Sequence, residues 1–229
     1  MTLIYRFYEW LHDRLSRSDE QGEYSAGKWQ DAARRQALEF LAGAKGKVLE
    51  IGCGEGLFLA QLARVAPAAA LYGIDNDEAR LACACDRLAA AGAAARSQVT
   101  FAEAPAVPFA DGYFDATVCV NVTLALPSFD AVKATLGEMS RVTRKGGLVI
   151  IEFRNADNPL LVLKYRLAPY YDGTVKGHPF TMLSPSRVDA ALADLGLSVR
   201  RRAYLPRFFD RSARRRKMAP IIVIEAEKI

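Results

Sequence analysis

The sequence predicts an α/β fold, a doubly wound and mostly parallel sheet with helices on both faces. Three observations carry this expectation. From residue 48 onward, short apolar runs alternate with amphipathic stretches, the pattern of repeated strand–helix units. The run Leu148–Phe153 is apolar almost throughout, as a central strand covered on both faces must be. The first apolar run, Val48–Ile51, passes straight into glycines and then a helical pattern.

The elements follow in order. Val48–Ile51 is the first strand, and Leu57–Val65 the first core helix, with Leu57, Leu59, Leu62 and Val65 spaced for burial. Leu71–Asp75 is the second strand, and the helix from Asp77 to Ala91 ends at Gly92. Val99–Phe101 is a short third strand, after which Pro105, Pro108 and Asp111-Gly112 break the chain. Phe114–Val120 is the fourth strand. A helix from Phe129 to Thr143 stops at Lys145-Gly146-Gly147, with Arg141 and Arg144 suited to its negative end. After Leu148–Phe153 comes a stretch from Arg154 to Ser184, rich in aromatic residues, which reads as a long functional loop. Ser184-Pro185 opens a helix running to Leu195-Gly196. Leu197–Leu205 and Ala219–Ala226 are two closing strands, which brings the sheet to seven.

Two helices are expected ahead of this core. Ile4, Phe7, Leu11 and Leu15 share one face of the first, which suits a cap over the domain edge or a membrane-surface helix. The second carries Trp29, Ala33, Ala37, Phe40 and Leu41, and Tyr24 with Trp29 is placed to act as a lid. The chain thus reads as one domain over 1–229: a helical cap at 1–45, a cofactor-binding core at 46–153, a substrate-side insertion at 154–184 and closing elements at 185–229.

Composition excludes several classes. Of 229 residues, 51% are hydrophobic and 25% charged, which fits neither a disordered chain nor a fibre. No apolar run reaches the roughly 20 residues that cross a bilayer. The start, Met1 to Arg6, lacks the pattern of a secretory signal. Cys53, Cys83, Cys85 and Cys119 form no Cys-x-x-Cys pair and the chain has 2 histidines, so no metal site is expected. Free, buried cysteines and a reduced, cytoplasmic setting are the reading. Net charge is +5, but Arg200–Lys217 holds nine basic residues against Asp210 alone. That patch would attract phosphate, nucleic acid or anionic lipid, or else is a solvated loop.

The site chemistry begins at Glu50-Ile-Gly-Cys-Gly-Glu-Gly56, at a strand-to-helix junction. Gly52, Gly54 and Gly56 leave bare backbone for a ligand, and the helix that follows presents its positive end. Asp75 closes the next strand, where an acid can accept both hydroxyls of a ribose. The spacing is not Gly-x-Gly-x-x-Gly, and Glu50 and Glu55 would repel a pyrophosphate. A ligand bearing ammonium and sulfonium groups meets no such repulsion.

The motif resembles the first motif of class I S-adenosylmethionine-dependent methyltransferases, of the small-molecule type. Phe101-Ala-Glu-Ala-Pro105, Asp111-Gly-Tyr-Phe-Asp-Ala-Thr-Val118 and Glu138–Leu148 resemble later motifs of that family in the same order. The resemblance covers roughly Lys47 to Phe153 and implies a Rossmann-like, seven-stranded sheet whose last strand is antiparallel. It implies S-adenosylmethionine as cofactor, with S-adenosylhomocysteine as product. The cofactor-binding set is then Glu50, Gly52, Cys53, Gly54, Gly56, Asp75, Asn76, Glu103, Ala104 and Asn121. Glu50 would meet the amino group, Asp75 the ribose, Glu103 the adenine, and Asn121 would line the methyl's path.

For the acceptor, His178 is the candidate base because it titrates near neutrality. Tyr171, with Tyr165 and Tyr170, would position the substrate, and Arg154 would pair with a substrate anion. Asn121-Val-Thr-Leu124 is not the Asn-Pro-Pro-aromatic tetrapeptide of nucleobase amino methylation, and no carboxylate cluster follows that strand to hold magnesium. A metal-free reaction on a small molecule at O, C or N is expected. RNA gripped by the basic patch, a catalytically silent cofactor-binding module and a nucleotide-dependent oxidoreductase are the alternatives.

Overall fold

The computed structural model describes residues 28–171, 180–207 and 212–229. The helix expected over Ile4–Leu15, Tyr24 and His178 lie outside them. Seven strands form one sheet: β1 (Gly46–Ile51), β2 (Ala69–Asp75), β3 (Ser97–Phe101), β4 (Phe114–Cys119), β5 (Thr143–Arg154), β6 (Leu197–Leu205) and β7 (Ile221–Lys228). Their spatial order is β3-β2-β1-β4-β5-β7-β6. The first five run parallel, and β7 is antiparallel to both β5 and β6. The helices are α1 (Lys28–Phe40), α2 (Leu57–Val65), α3 (Glu78–Ala90), α4 (Phe129–Val142), α5 (Pro159–Tyr171), α6 (Pro185–Asp194) and α7 (Ala213–Lys217).

The double winding follows from period-2 alternation in strands buried on both faces. Val48 packs with Ala33, Ala37, Leu59 and Leu62 on one side of the sheet. Its neighbours Leu49 and Ile51 pack with Leu136, Met139 and Leu192 on the other. The same split separates Ile221 and Val223 from Ile222 and Ile224. Leu59 and Leu62 are fully buried, each contributing about 1.5–3 kcal/mol through area removed from water. Local chemistry sets the helix starts: Asp77 accepts from the Ala79 and Arg80 amides, and the Ser128 hydroxyl accepts from Ala131 N.

Several expectations are corrected. The stretch after Arg154 is not a long loop, because α5 occupies Pro159–Tyr171. Asn158 caps it, its side-chain oxygen accepting from Leu160 N at 3.0 Å and Leu161 N at 3.1 Å, with Pro159 at the first helical position. β5 starts at Thr143, before the double glycine, and is twice as long as the apolar run alone. Arg141 does not serve the helix end: it donates to the carbonyls of Phe109 and Val107 and pairs with Asp111 and Glu138, binding down the chain between β3 and β4.

The basic patch also differs. Arg200, Arg201 and Arg202 lie in β6, as the expected strand Leu197–Leu205 requires, but they pair with Glu227, Glu225 and Asp189, while Arg207 pairs with Glu39. Cys53 and Cys119 are buried, but Cys83 and Cys85 are exposed on α3. Burial, reinforced by nearby carboxylates, pushes the Cys53 and Cys119 thiols well up, so neither is a nucleophile at neutral pH.

Candidate active site

The strand order reverses between β1 and β4, and ligands of open α/β sheets bind at the carboxyl ends of strands at such a point. Here a cavity of about 810 Å³ opens there. Among the sequence-derived candidates, Glu50, Gly52, Cys53, Gly54, Asp75, Asn76, Glu103, Ala104 and Asn121 all line it.

Gly56 does not line it. The three glycines share left-handed backbone with φ of 70°, 50° and 72°, but do different work. A Cβ on Gly52 would lie 2.4 Å from Val122 Cγ2, and one on Gly56 would lie 3.0 Å from Ala84 Cβ, so these two serve close packing. A Cβ on Gly54 meets nothing within 4 Å. Gly54 is the position left bare toward open space. The turn is fixed by backbone bonds from Gly52 N and Cys53 N to the Ile74 carbonyl and by Gly54 N donating to Asp75 Oδ2 at 2.8 Å.

Asp75 also accepts from Asp77 N through Oδ1 at 3.1 Å. A carboxylate has about four acceptor sites, so both oxygens retain lone pairs for a ligand. Asn76 donates to both oxygens of Glu103, at 3.4 and 3.3 Å, joining the ends of β2 and β3. Asn76 is therefore held as a polar partner of Glu103.

Glu50 is 3% exposed, and its Oε2 has no hydrogen-bond partner. Burial holds its carboxyl well above the usual range, the charge of Arg34 acts against that rise, and Asp75 adds to it. Asn121 adopts φ 63°, left-handed backbone that Asn tolerates better than most residues. Its N–H donates to Glu152 Oε2 at 2.9 Å and its Nδ2 to the Gln30 carbonyl at 3.3 Å, while Oδ1 is buried without a partner. Glu50 Oε2 and Asn121 Oδ1 are two orphaned acceptors on this wall, which also holds Arg154, whose buried Nε lacks a partner. The group that completes the two acceptors is a cation or a cluster of N–H donors, and a cofactor bearing an ammonium fits where a pyrophosphate does not.

Sequence reasoning missed part of the wall. Gln30 and Arg34 of α1 line the cavity, as do Val120, Leu124, Ala125, Leu126 and Phe180. Arg34 carried a signal: it interrupts the apolar face of Ala33, Ala37 and Leu41. Arg154 also lines the cavity, 3% exposed, with its Nη1 paired to Glu152 and its Nε without a hydrogen-bond partner. Trp29 packs against the core beneath Lys164, whose Nζ lies 4.6 Å from the ring centroid, rather than standing over the cofactor side as a lid. Tyr171 ends α5.

A family model for the methyltransferase domain matches residues 48–147. Over 184 residues the chain is 31% identical to the demethylmenaquinone methyltransferase of Thermus thermophilus, covering 73% of this chain and 81% of that one. It is 30% identical over 163 residues to the phosphatidylethanolamine N-methyltransferase of Cereibacter sphaeroides, covering 69% and 77%. The chain belongs to the class I S-adenosylmethionine-dependent methyltransferases.

The methyltransferase superposes on the geranyl diphosphate C-methyltransferase of Streptomyces coelicolor A3(2) with a TM-score of 0.65 and 15% identity, over 94% of this chain and 89% of that one. At that identity the likeness is one of fold. The expected sheet, seven-stranded with an antiparallel last strand, is borne out. No described helix of the methyltransferase is long and apolar enough to cross a membrane.

Proposed function

We propose that this methyltransferase moves the methyl group of S-adenosylmethionine to a small-molecule acceptor, at an O, C or N nucleophile, by metal-free in-line displacement. The observation that carries this is one cavity whose wall combines orphaned acceptors at Glu50 and Asn121 with the apolar segment Leu124–Leu126 and Phe180. Its volume falls within the roughly 300–1,000 Å³ of small-molecule sites.

When bound, the cofactor supplies a methyl already activated on sulfonium. The chain's work is to bind, align and exclude water, and alignment alone can supply about 7–11 kcal/mol. Glu50 and Asn121 Oδ1 receive the ammonium, the bare backbone at Gly54 admits the methionine part, Asp75 takes the ribose and Glu103, steadied by Asn76, faces the adenine. Leu124, Leu126 and Phe180 leave an apolar berth for the acceptor. The relatives are named for phosphatidylethanolamine and demethylmenaquinone, and the fold neighbour for geranyl diphosphate, which supports an acceptor with an apolar tail. His178 takes the proton of a nucleophile that arrives protonated, and Tyr171 positions it.

The test is transfer of labelled methyl to a panel of isoprenoid, quinone, lipid, aromatic and sugar acceptors. We expect turnover on an apolar-tailed member. Cofactor binding with no transfer to any acceptor would favour a silent binding module. Transfer to RNA that falls steeply with salt would favour the nucleic-acid reading.

A further inference from the structure

The helix α5, Pro159-Leu-Leu-Val-Leu-Lys-Tyr-Arg-Leu-Ala-Pro-Tyr-Tyr171, contains no acid and two charges, both basic. Leu161 and Ala168 are buried on its inner side, and Tyr165 packs at a tilt against Phe180 of the cavity wall with ring centroids 5.0 Å apart. A surface helix anchored this way should present polar residues outward. This one does not: Leu160, Leu163, Leu167 and Tyr170 are 67%, 53%, 46% and 86% exposed. They are four of the nine exposed large apolar side chains among the described residues. At about 100° per residue they share a sector of about 80°, opposite the buried face, with Lys164 on one flank and Arg166 on the other.

Charge gathers at the same end of the fold. Asn155 Nδ2 donates to the carbonyls of Lys217 at 3.1 Å and Ala219 at 2.9 Å, and Asn158 Nδ2 to that of Met218 at 2.8 Å. These bonds fix the basic helix α7 against the start of α5. Arg166, Arg215 and Lys217 are exposed, and no ion pair engages them among the described residues. An apolar stripe flanked by cations, with no acid on its helix, is the chemistry of a helix lying in the headgroup plane of an anionic bilayer.

We propose that the outer face of α5, with α7 beside it, docks the protein on anionic lipid membranes. The apolar stripe enters the acyl boundary, and Arg166, Arg215 and Lys217 meet lipid phosphates. The inner face of the same helix backs Phe180, so docking sets the acceptor side of the cavity next to the bilayer, where apolar-tailed molecules reside. The docking itself does not depend on what the acceptor is.

The test is flotation of the full chain with phosphatidylcholine vesicles and with vesicles of phosphatidylcholine and phosphatidylglycerol. We expect retention on the anionic vesicles that weakens with salt and is at least tenfold weaker on neutral ones. Leu163→Glu/Leu167→Glu should cut partition at least tenfold, and Arg166→Glu severalfold, with the circular dichroism and S-adenosylhomocysteine affinity of the parent. No retention on anionic vesicles, or equal retention by the variants, overturns the proposal. So does a lipid-free dimer, seen by sedimentation, that Leu163→Glu/Leu167→Glu splits, since a second copy would then cover the stripe. Vesicle binding and cofactor affinity are separate readouts, so failure of one does not mimic failure of the other.

Discussion

Within a central strand, a glutamate costs stability unless something cationic meets it. Glu50 sits there with its pKa raised chiefly by burial. A carboxyl whose folded pKa is raised contributes fully below the ordinary carboxylate range, and that contribution is lost as pH rises through the raised value. The free protein should therefore lose stability from this residue on going toward neutral pH, and a bound ammonium should restore it. Glu50→Gln should melt at least as high as the parent, with the gap widening between about pH 5 and pH 8, at about 2–4 °C per kcal/mol. The same variant should bind S-adenosylmethionine about 1–3 kcal/mol more weakly, because a charged hydrogen bond is gone. Melting curves across pH and calorimetric titrations check both. A variant that melts lower at every pH yet binds cofactor as tightly would contradict the role given to Glu50.

Among the elements, the turn between β1 and α2 separates packing glycines from Gly54, the one left bare toward the cavity. Gly54→Ala places a Cβ in open space at φ 50°, so its stability cost is the left-handed backbone term of about 1–2 kcal/mol. Gly52→Ala adds a clash with Val122 and should melt lower than Gly54→Ala. Gly54→Ala should nevertheless lose at least tenfold in cofactor affinity, measured on protein below its melting range. Equal affinity would mean that the ligand does not approach Gly54.

The turn and the helices beside it were legible because their signals are local. Leu57–Val65 shows apolar spacing, Asp77 is a cap, and Gly92 is a stop. The helix α5 was not legible, since its apolar residues run round most of it with only Lys164 and Arg166 between them, Pro169 lies within it and no broad polar face marks its period. The start of β5 was hidden because Gly146-Gly147 reads as a break, whereas pairing with β4 carries the strand through it. Arg200–Arg202 lie in the expected strand Leu197–Leu205 yet read as part of an anion-attracting patch or solvated loop, because Glu225, Glu227 and Asp189, which balance their charges, are acids that only the fold brings near.

For the molecule as a whole, the parallel order of β2, β1 and β4 decides where chemistry can occur. Register sets Glu50 opposite Gly73 and Val118, and the strand ends converge where the order reverses. Composition and motif order foretold that convergence, but not the contribution of α1, whose Gln30 and Arg34 reach the cavity from across the sequence. The central claim is that the Gly52–Gly56 turn and Asp75 together hold an adenosyl sulfonium ligand. Calorimetric titration of S-adenosylhomocysteine into the wild type and Asp75→Ala tests it most directly. The account predicts one site in the wild type and an affinity weaker by about 1–3 kcal/mol in a folded Asp75→Ala. Equal affinities would contradict it.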